Sequence, residues 1–219
     1  MAIIERTVPG FLPSVAGFHF PNRWPSAPAL KLDFRVPGPV PIGLTLTGGD
    51  AASGLCGGMA LAALDLWLAG EAPPPGTNPP APGSPLFRHI VRRQVDSLGF
   101  GLAVVRFFQA QASSPRSRAR VAVRDAWPAV RRSIDAGRPA LLGLVHVASA
   151  DPRRLVANHQ VVAYGYELDA AAGRLALPIY DPNHPDDDAI RLRLTLSPER
   201  TALTFEYGPA SPVLGMLAL

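Results

Sequence analysis

The stretch SGLCGGMALAALDLWLAG, residues 53–70, decides the architecture expected of this chain. Its apolar residues recur at the spacing of a largely buried helix. They are Leu55, Met59, Ala62, Leu66 and Leu68. Gly70 is a natural helix end, and we expect the helix to begin near Ser53. Cys56 therefore falls in its first turn.

Cys56 is the single cysteine of the chain. At the start of a helix, free N–H groups and the positive end of the helix dipole favour a thiolate. A buried structural cysteine fits the same position equally well. One cysteine excludes an intramolecular disulfide and favours a reducing compartment.

Helices continue after this segment. Residues 71–85, EAPPPGTNPPAPGSP, predict a stiff surface loop. Ser84 then caps a helix with proline at its first position, PLFRHIVRRQVDSL, residues 85–98. Two further helices are predicted over 101–112 and 124–136.

From residue 139 the pattern changes to strands. Alternating residues and intervening turns predict strands over 139–147, 159–168, 174–181, 189–196 and 201–207. Helices followed by an antiparallel, meander-like sheet indicate the α+β class.

The whole chain, 1–219, is predicted to be one domain. Residues 1–48 form an extended segment, 49–138 the helical part and 139–219 the sheet part. Within the first segment, 30–36 and 41–47 are short strands or extended arms, and the aromatic turn 17–25 packs on the core.

Two later residues have the chemistry to serve a thiol. His159 heads a predicted strand, where it is able to accept the proton of a facing thiol. Asp181 ends the next predicted strand, where a carboxylate is able to orient an imidazole. Taken singly, His159 is more often structural and Asp181 more often a turn residue. Their order along the chain, nucleophile, base and acid, favours a triad.

The blocks GLCGGMA, NHQVVAYGYE and IYDPNHPDDD resemble those of bacterial papain-like cysteine peptidases, of which the double-glycine leader peptidases are well-known relatives. The resemblance covers roughly residues 50–196. It implies a papain-like fold, in which N-terminal helices pack the nucleophile helix on a C-terminal antiparallel sheet. It also implies that Cys56 is the nucleophile, His159 the base and Asp181 the orienting acid.

One position departs from that family. Papain-like peptidases usually carry a glutamine six residues before the cysteine as an oxyanion donor, and here that residue is Asp50. An ionised aspartate has no hydrogen to donate. Gln160 is a candidate replacement, although in a strand it points away from the face of His159. Gly57 is a candidate for close approach of a substrate backbone.

Composition narrows the partners. The net charge is +4, but the basic residues are nearly all arginine, which indicates coding bias rather than nucleic-acid binding. The arginines of 116–124 are expected on a solvated helix entry rather than on phosphates. Neither a signal peptide nor a membrane span is recognised, so we expect a cytoplasmic protein. We expect no cofactor.

Metal binding is a weaker interpretation. His146, His159 and His184 with Asp181 or Asp186 lack the tight spacing of a metal site. The acidic run 186–188 is more simply a charged turn than a calcium loop.

The sequence leaves three functions open. The first is a cysteine-dependent hydrolase or acyltransferase acting on a peptide or small amide, without distinction among hydrolysis, deamidation and acyl transfer. The second, motivated by Asp50, is an inactive papain-like fold that binds a ligand or protein. The third is an interaction protein that presents the proline loop 71–85 to a partner that the sequence does not identify.

Overall fold

The computed structural model describes residues 3–26, 32–36, 42–46, 51–197, 202–208 and 212–219. Within them the chain combines helices with an open antiparallel sheet. The α+β prediction is therefore confirmed. Asp50 lies outside the described residues.

The described α-helices are α1 (Pro13–Ala16), α2 (Cys56–Ala69), α3 (Pro85–Ser97), α4 (Leu102–Ala112), α5 (Pro115–Val121) and α6 (Trp127–Asp135). Local signals set the ends of α2 and α3. Gly70 has a left-handed φ of 72°, and its N–H bonds the carbonyls of the last turn of α2. The Ser84 hydroxyl accepts a hydrogen bond from the Phe87 N–H at the start of α3.

Only part of α2 is enclosed. Its first half packs between α3 and the sheet, and Met59 is fully buried. Leu68, expected in the core, is 67% exposed. The prediction of a largely buried helix is wrong for its last turn, because that turn leads directly into the exposed proline loop.

The helix predicted over 124–136 begins earlier than expected. It starts at Pro115, where the Ser114 hydroxyl accepts from the Ser117 N–H, and passes through a π-helical turn over 122–126 into α6. Arg118, expected in solvent, is 5% exposed and donates to the Leu214 carbonyl at 3.0 Å. The prediction that this guanidinium is solvated is wrong.

The described strands are β1 (Ile4–Thr7), β2 (Leu32–Val36), β3 (Ile42–Leu46), β4 (Ala140–Val145), β5 (His159–Ala163), β6 (Gly165–Asp169), β7 (Arg174–Tyr180), β8 (Arg191–Leu196), β9 (Leu203–Tyr207) and β10 (Gly215–Ala218). β2 and β3 pair with each other. The main sheet follows the path β1-β6-β7-β5-β4-β10, with β8 and then β9 added along the opposite edge of β7.

The predicted meander is confirmed: β4 pairs with β5, both β5 and β6 pair with β7, β7 pairs with β8, and β8 pairs with β9. The terminal strands β1 and β10, which sequence did not predict, lie at the two ends of the main path. The N-terminal segment thus contributes a strand to the sheet.

The strand predicted over 159–168 is interrupted at Tyr164, where β5 passes into β6. Both strands run along one edge of β7, with Val162 opposite Tyr180 and Glu167 opposite Ala176. The interruption lets β5 pair with β4 while β6 pairs with β1. This arrangement places the start of β5, which carries His159, next to the start of α2.

The aromatic N-terminal segment packs in the core, as predicted. Phe18, Phe20 and Trp24 are buried. The Phe18 ring stacks on the Phe20 ring, which contacts the Trp24 ring edge to face. The Phe18 N–H donates to the Tyr180 hydroxyl at the end of β7. These contacts hold residues 17–24 beside the end of β7. Among the described residues, no helix is long and apolar enough to cross a bilayer.

Candidate active site

Cys56 is the first residue of α2. Its side chain is partly exposed in a cleft of about 290 Å³. The backbone N–H groups of Gly57 and Gln160 both point at its sulfur. The sulfur therefore lies where a helix start and a strand start converge, among donors that favour a thiolate.

His159 and Asp181 are brought together across the sheet. His159 begins β5 and Asp181 follows the last residue of β7, and these two strands are neighbours. The His159 Nε2 lies 2.6 Å from Asp181 Oδ1. The ring also makes a hydrogen bond with the Cys56 thiol, for which Nδ1 is the remaining nitrogen. The sequence-derived set thus forms a continuous Cys–His–Asp chain of contacts.

Asp181 is held by further donors. It is 1% exposed, and its Oδ1 also accepts from the Asn183 N–H at 2.8 Å. The Tyr207 hydroxyl, from β9, donates to Oδ2. A buried carboxylate requires such partners to stay ionised. Asp181 therefore orients His159 from a fixed position.

The electrostatics of the three groups are coupled. Burial by itself would raise the pKa of Cys56, but the charge and hydrogen bond of His159 and the two backbone N–H groups hold that pKa below its ordinary value. Burial would lower the pKa of His159, but Cys56 and Asp181 together raise it to about 10. Burial by itself would raise the pKa of Asp181. The charge and hydrogen bond of His159 outweigh it and hold that pKa below its ordinary value. The mutual shifts of Cys56 and His159 favour the charged form of each group, a thiolate beside an imidazolium.

The cleft around this pair is mostly polar. Amide, imidazole and phenol groups outnumber its few apolar side chains. Besides Cys56, His159 and Asp181 the lining residues are Asn22, Ala52, Gly54, His146, Val156, Ala157, Asn158, Asn183, His184 and Tyr207. They come from the N-terminal segment, the residues just before α2, the β4–β5 connection, the turn after β7, and β9. Such a lining suits a small polar group.

The other residues singled out by sequence are placed differently. Gly57 is buried against α3 and β5, where an added Cβ would lie 2.3 Å from Ser97 Oγ and 2.5 Å from Gln160 Oε1. The Gln160 side chain is 4% exposed and does not line the cleft. Gly57 therefore allows close packing within the protein, and Gln160 contributes its backbone N–H rather than its amide side chain.

The weaker metal-site interpretation has no support in the described part of the chain, where no three or more His, Cys, Asp or Glu side chains are placed so that they could hold a metal ion. His146 instead bonds the Pro212 carbonyl through Nδ1. Burial, reinforced by the nearby His159 charge, lowers the pKa of His146, so it is neutral beside the charged pair. In the acidic turn, Asp186 bonds His19 and Asp188 bonds Ser14, which tie the turn to the N-terminal segment.

Sequence reasoning missed Asn22 and Tyr207. Asn22 lies in FPNRWP, within an aromatic stretch that sequence explains fully as core packing. Tyr207 ends a predicted strand and carries no local signal of function. Comparison of the chain with protein-family models, curated proteins and solved structures gave no match.

Proposed function

We propose that this protein is a papain-like thiol enzyme that cleaves or transfers an acyl group at an amide bond. The observation that carries the proposal is the contact chain from Cys56 at the start of α2 through the His159 ring to Asp181. Covalent acyl transfer uses a nucleophile that is hydrogen-bonded to a general base, which is in turn oriented by an acid. A nucleophile helix packed on an open antiparallel sheet supports the papain-like fold.

The reaction follows from the resting ion pair. The Cys56 thiolate attacks the carbonyl carbon, and the carbonyl electrons move onto its oxygen. As that intermediate collapses, the C–N bond breaks and the departing nitrogen takes the proton of the His159 imidazolium. Water, deprotonated by the now neutral His159, then attacks the thioester and releases the carboxylic acid and the thiolate. An amine in place of that water gives acyl transfer.

The cleft favours a small polar substrate. A volume of about 290 Å³ holds one or two residues of a peptide or a small amide. Asn158, Asn183 and His146 offer hydrogen bonds rather than an apolar surface. The proposal therefore favours polar acyl groups over bulky hydrophobic ones.

Alkylation by iodoacetamide tests the ion pair directly, because Cys56 is the single cysteine. We expect stoichiometric labelling at neutral pH, with the half-maximal rate at a pH below the ordinary thiol value of 9.0. His159→Ala is expected to move that midpoint back toward 9.0 because it removes the imidazolium charge. A wild-type midpoint at or above 9.0 contradicts the proposal.

Acylation tests the chemistry itself. Incubation with p-nitrophenyl acetate is expected to place one acetyl group on Cys56, detectable by intact mass, which hydrolysis then removes. Cys56→Ser is expected to show no such turnover, and His159→Ala a much slower one. If the wild type is never acetylated at Cys56, the alternative of an inactive binding module is favoured instead.

A further inference from the structure

The proposed reaction develops negative charge on the substrate oxygen, and that charge needs donors. In acyl transfer, preorganised N–H groups around this oxygen usually contribute the largest single stabilisation. The Cys56 N–H is one candidate, because the first N–H groups of a helix have no partner within it. The Gln160 side chain is directed into the packing around Gly57, away from the cleft.

Asn22 lies at the cleft with its amide orientation fixed. Its Oδ1 accepts from the Leu55 N–H at 2.7 Å and from the Trp24 Nε1–H at 2.9 Å. A flipped amide would set its NH₂ group against two donors, so only one orientation is compatible with these contacts. The oxygen therefore faces the protein and Nδ2 faces the cleft.

Further contacts hold Asn22 against the residues that adjoin Cys56 and Asp181. Leu55, which the Asn22 oxygen holds, immediately precedes Cys56. The backbone N–H of Asn22 bonds the Pro182 carbonyl at 2.8 Å, next to Asp181. Nδ2 lies 2.9 Å from the position of a Cβ on Gly54, another cleft residue. Asn22 is thus anchored to both the nucleophile segment and the acid segment.

The amide has a hydrogen to offer. An asparagine NH₂ carries two donors. One of them donates to Asn183 Oδ1 at 3.1 Å, a contact on the exposed side of the cleft. The second is left for a group bound in the cleft, which Asn22 lines.

We propose that Asn22 is a catalytic residue whose side-chain amide, together with the backbone N–H of Cys56, donates hydrogen bonds to the oxyanion formed when Cys56 attacks the substrate carbonyl. The inference rests on the proposed function. It assigns to a residue of the N-terminal segment the role that the papain-like resemblance would give to position 50. The oxyanion exists only after the carbonyl electrons have moved onto oxygen, so Asn22 stabilises the transition state more than the bound substrate.

The test compares two reactions of the same thiolate. Acylation of Cys56 by p-nitrophenyl acetate passes through an oxyanion, whereas alkylation by iodoacetamide does not. Because both consume the thiolate, the ratio of their rates cancels any change in thiolate fraction. Asn22→Asp keeps an oxygen for Leu55 and Trp24 but replaces the donor, and Asn22→Ala removes the amide altogether.

We expect both variants to lower the acylation-to-alkylation ratio by about 10²–10³-fold, the cost of losing one oxyanion donor. Asn78→Asp makes the same chemical change in the exposed proline loop outside the cleft, and it is expected to leave the ratio unchanged. An unchanged ratio in both Asn22 variants overturns the inference while the proposed function stands. That outcome includes equal losses in both reactions, which would indicate a structural role for Asn22. Absence of Cys56 acylation in the wild type overturns the proposed function first.

Discussion

Tyr207 supplies a hydroxyl to the side of Asp181 that His159 does not use. Burial, reinforced by the Asp181 charge, raises the pKa of this phenol, so it stays protonated and donating at neutral pH. The bond lowers the pKa of Asp181 in turn. Tyr207 is therefore a positioning residue, which acts on His159 through the carboxylate.

Removing that hydroxyl is expected to cost both stability and reactivity. Tyr207→Phe takes one donor from a buried carboxylate, and a hydrogen bond to a charged group contributes about 1.5–3 kcal/mol. We expect a loss of that order in the free energy of unfolding by urea, and a higher pH midpoint for Cys56 alkylation, because a less firmly ionised Asp181 supports the imidazolium less. Tyr164→Phe removes a hydroxyl that donates to a backbone carbonyl at 3.3 Å, and is the matched control. An unshifted alkylation midpoint in Tyr207→Phe would show that the phenol is only structural.

At this scale, what sequence predicts depends on where the signal lies. Cys56, His159 and Asp181 each stand at the end of an element whose limits are visible locally, so their set is predictable. Asn22 reaches Leu55 across 33 residues, and Tyr207 reaches Asp181 across 26. Contacts of that span arise from the packing of separate segments, and no pattern within either segment encodes them.

Helices and strands likewise differ in how far local sequence predicts them. The Ser84–Pro85 cap and Gly70 fix α2 and α3 from local chemistry. The Ser114–Pro115 pair is the same kind of signal, and it lies at the start of α5. The strands β1 and β10 are short, and each is stabilised by a partner distant in sequence, so local pattern did not predict them.

Gly58 sets how closely α2 approaches α3. A Cβ on Gly58 would lie 2.2 Å from the Ile90 carbonyl oxygen, which is backbone and has no rotamer to change. The Gly58 N–H also bonds the Gln94 side chain at 2.8 Å. The start of α2 is thus positioned by direct contact with the α3 backbone.

Gly58→Ala is therefore expected to be destabilising, although alanine ordinarily favours a helix. Forcing α2 and α3 apart costs about 1–3 kcal/mol of overpacking, measured as a lower free energy of unfolding by urea. Gly76→Ala adds the same methyl in the proline loop, where it would meet nothing within 4 Å, and is expected to change stability little. Equal stabilities for the two variants would show that the helix pair relaxes freely.

On the scale of the whole molecule, the cleft joins parts of the chain that are far apart in sequence. The N-terminal segment, the start of α2, the start of β5 and the turn after β7 each contribute at least one lining residue. In the folded protein the pKa of Cys56 is lowered and that of His159 is raised, relative to their ordinary values. Folding is therefore linked to protonation at the cleft.

The two titrations have opposite signs. The pKa of His159 is about 10 in the folded protein, against an ordinary value of 6.5. Its contribution to the free energy of unfolding is therefore fully present below pH 6.5 and is lost as the pH rises through 10. Cys56 has a folded pKa below 9.0, so its contribution is present above pH 9.0 and is lost as the pH falls through the folded value. Between pH 6.5 and 10 the His159 contribution declines, and between the folded Cys56 pKa and pH 9.0 the Cys56 contribution grows. Where these two pH ranges overlap, the folded and unfolded states hold the same number of protons on the pair, so the pH dependences of the two contributions to stability cancel.

Cys56→Ser removes one of the two titrations and is expected to expose the other. In this variant His159 loses the Cys56 charge but keeps the charge and hydrogen bond of Asp181, which raise its pKa. We therefore expect stability to fall as the pH rises above 6.5, whereas the wild type is level between the folded Cys56 pKa and pH 9.0. The difference in unfolding free energy, wild type minus variant, is expected to grow by up to about 1.4 kcal/mol per pH unit. Growth should stop at the folded His159 pKa of the variant, which is below the wild-type value of about 10 because the Cys56 charge is gone, and at the latest near pH 9.0, where the unfolded thiol ionises. Urea unfolding of both proteins from pH 6 to 10 measures this slope, and a constant offset from serine does not affect it. A difference that is independent of pH would mean that folding leaves the Cys56 pKa unchanged, and would remove the electrostatic basis for a reactive thiolate.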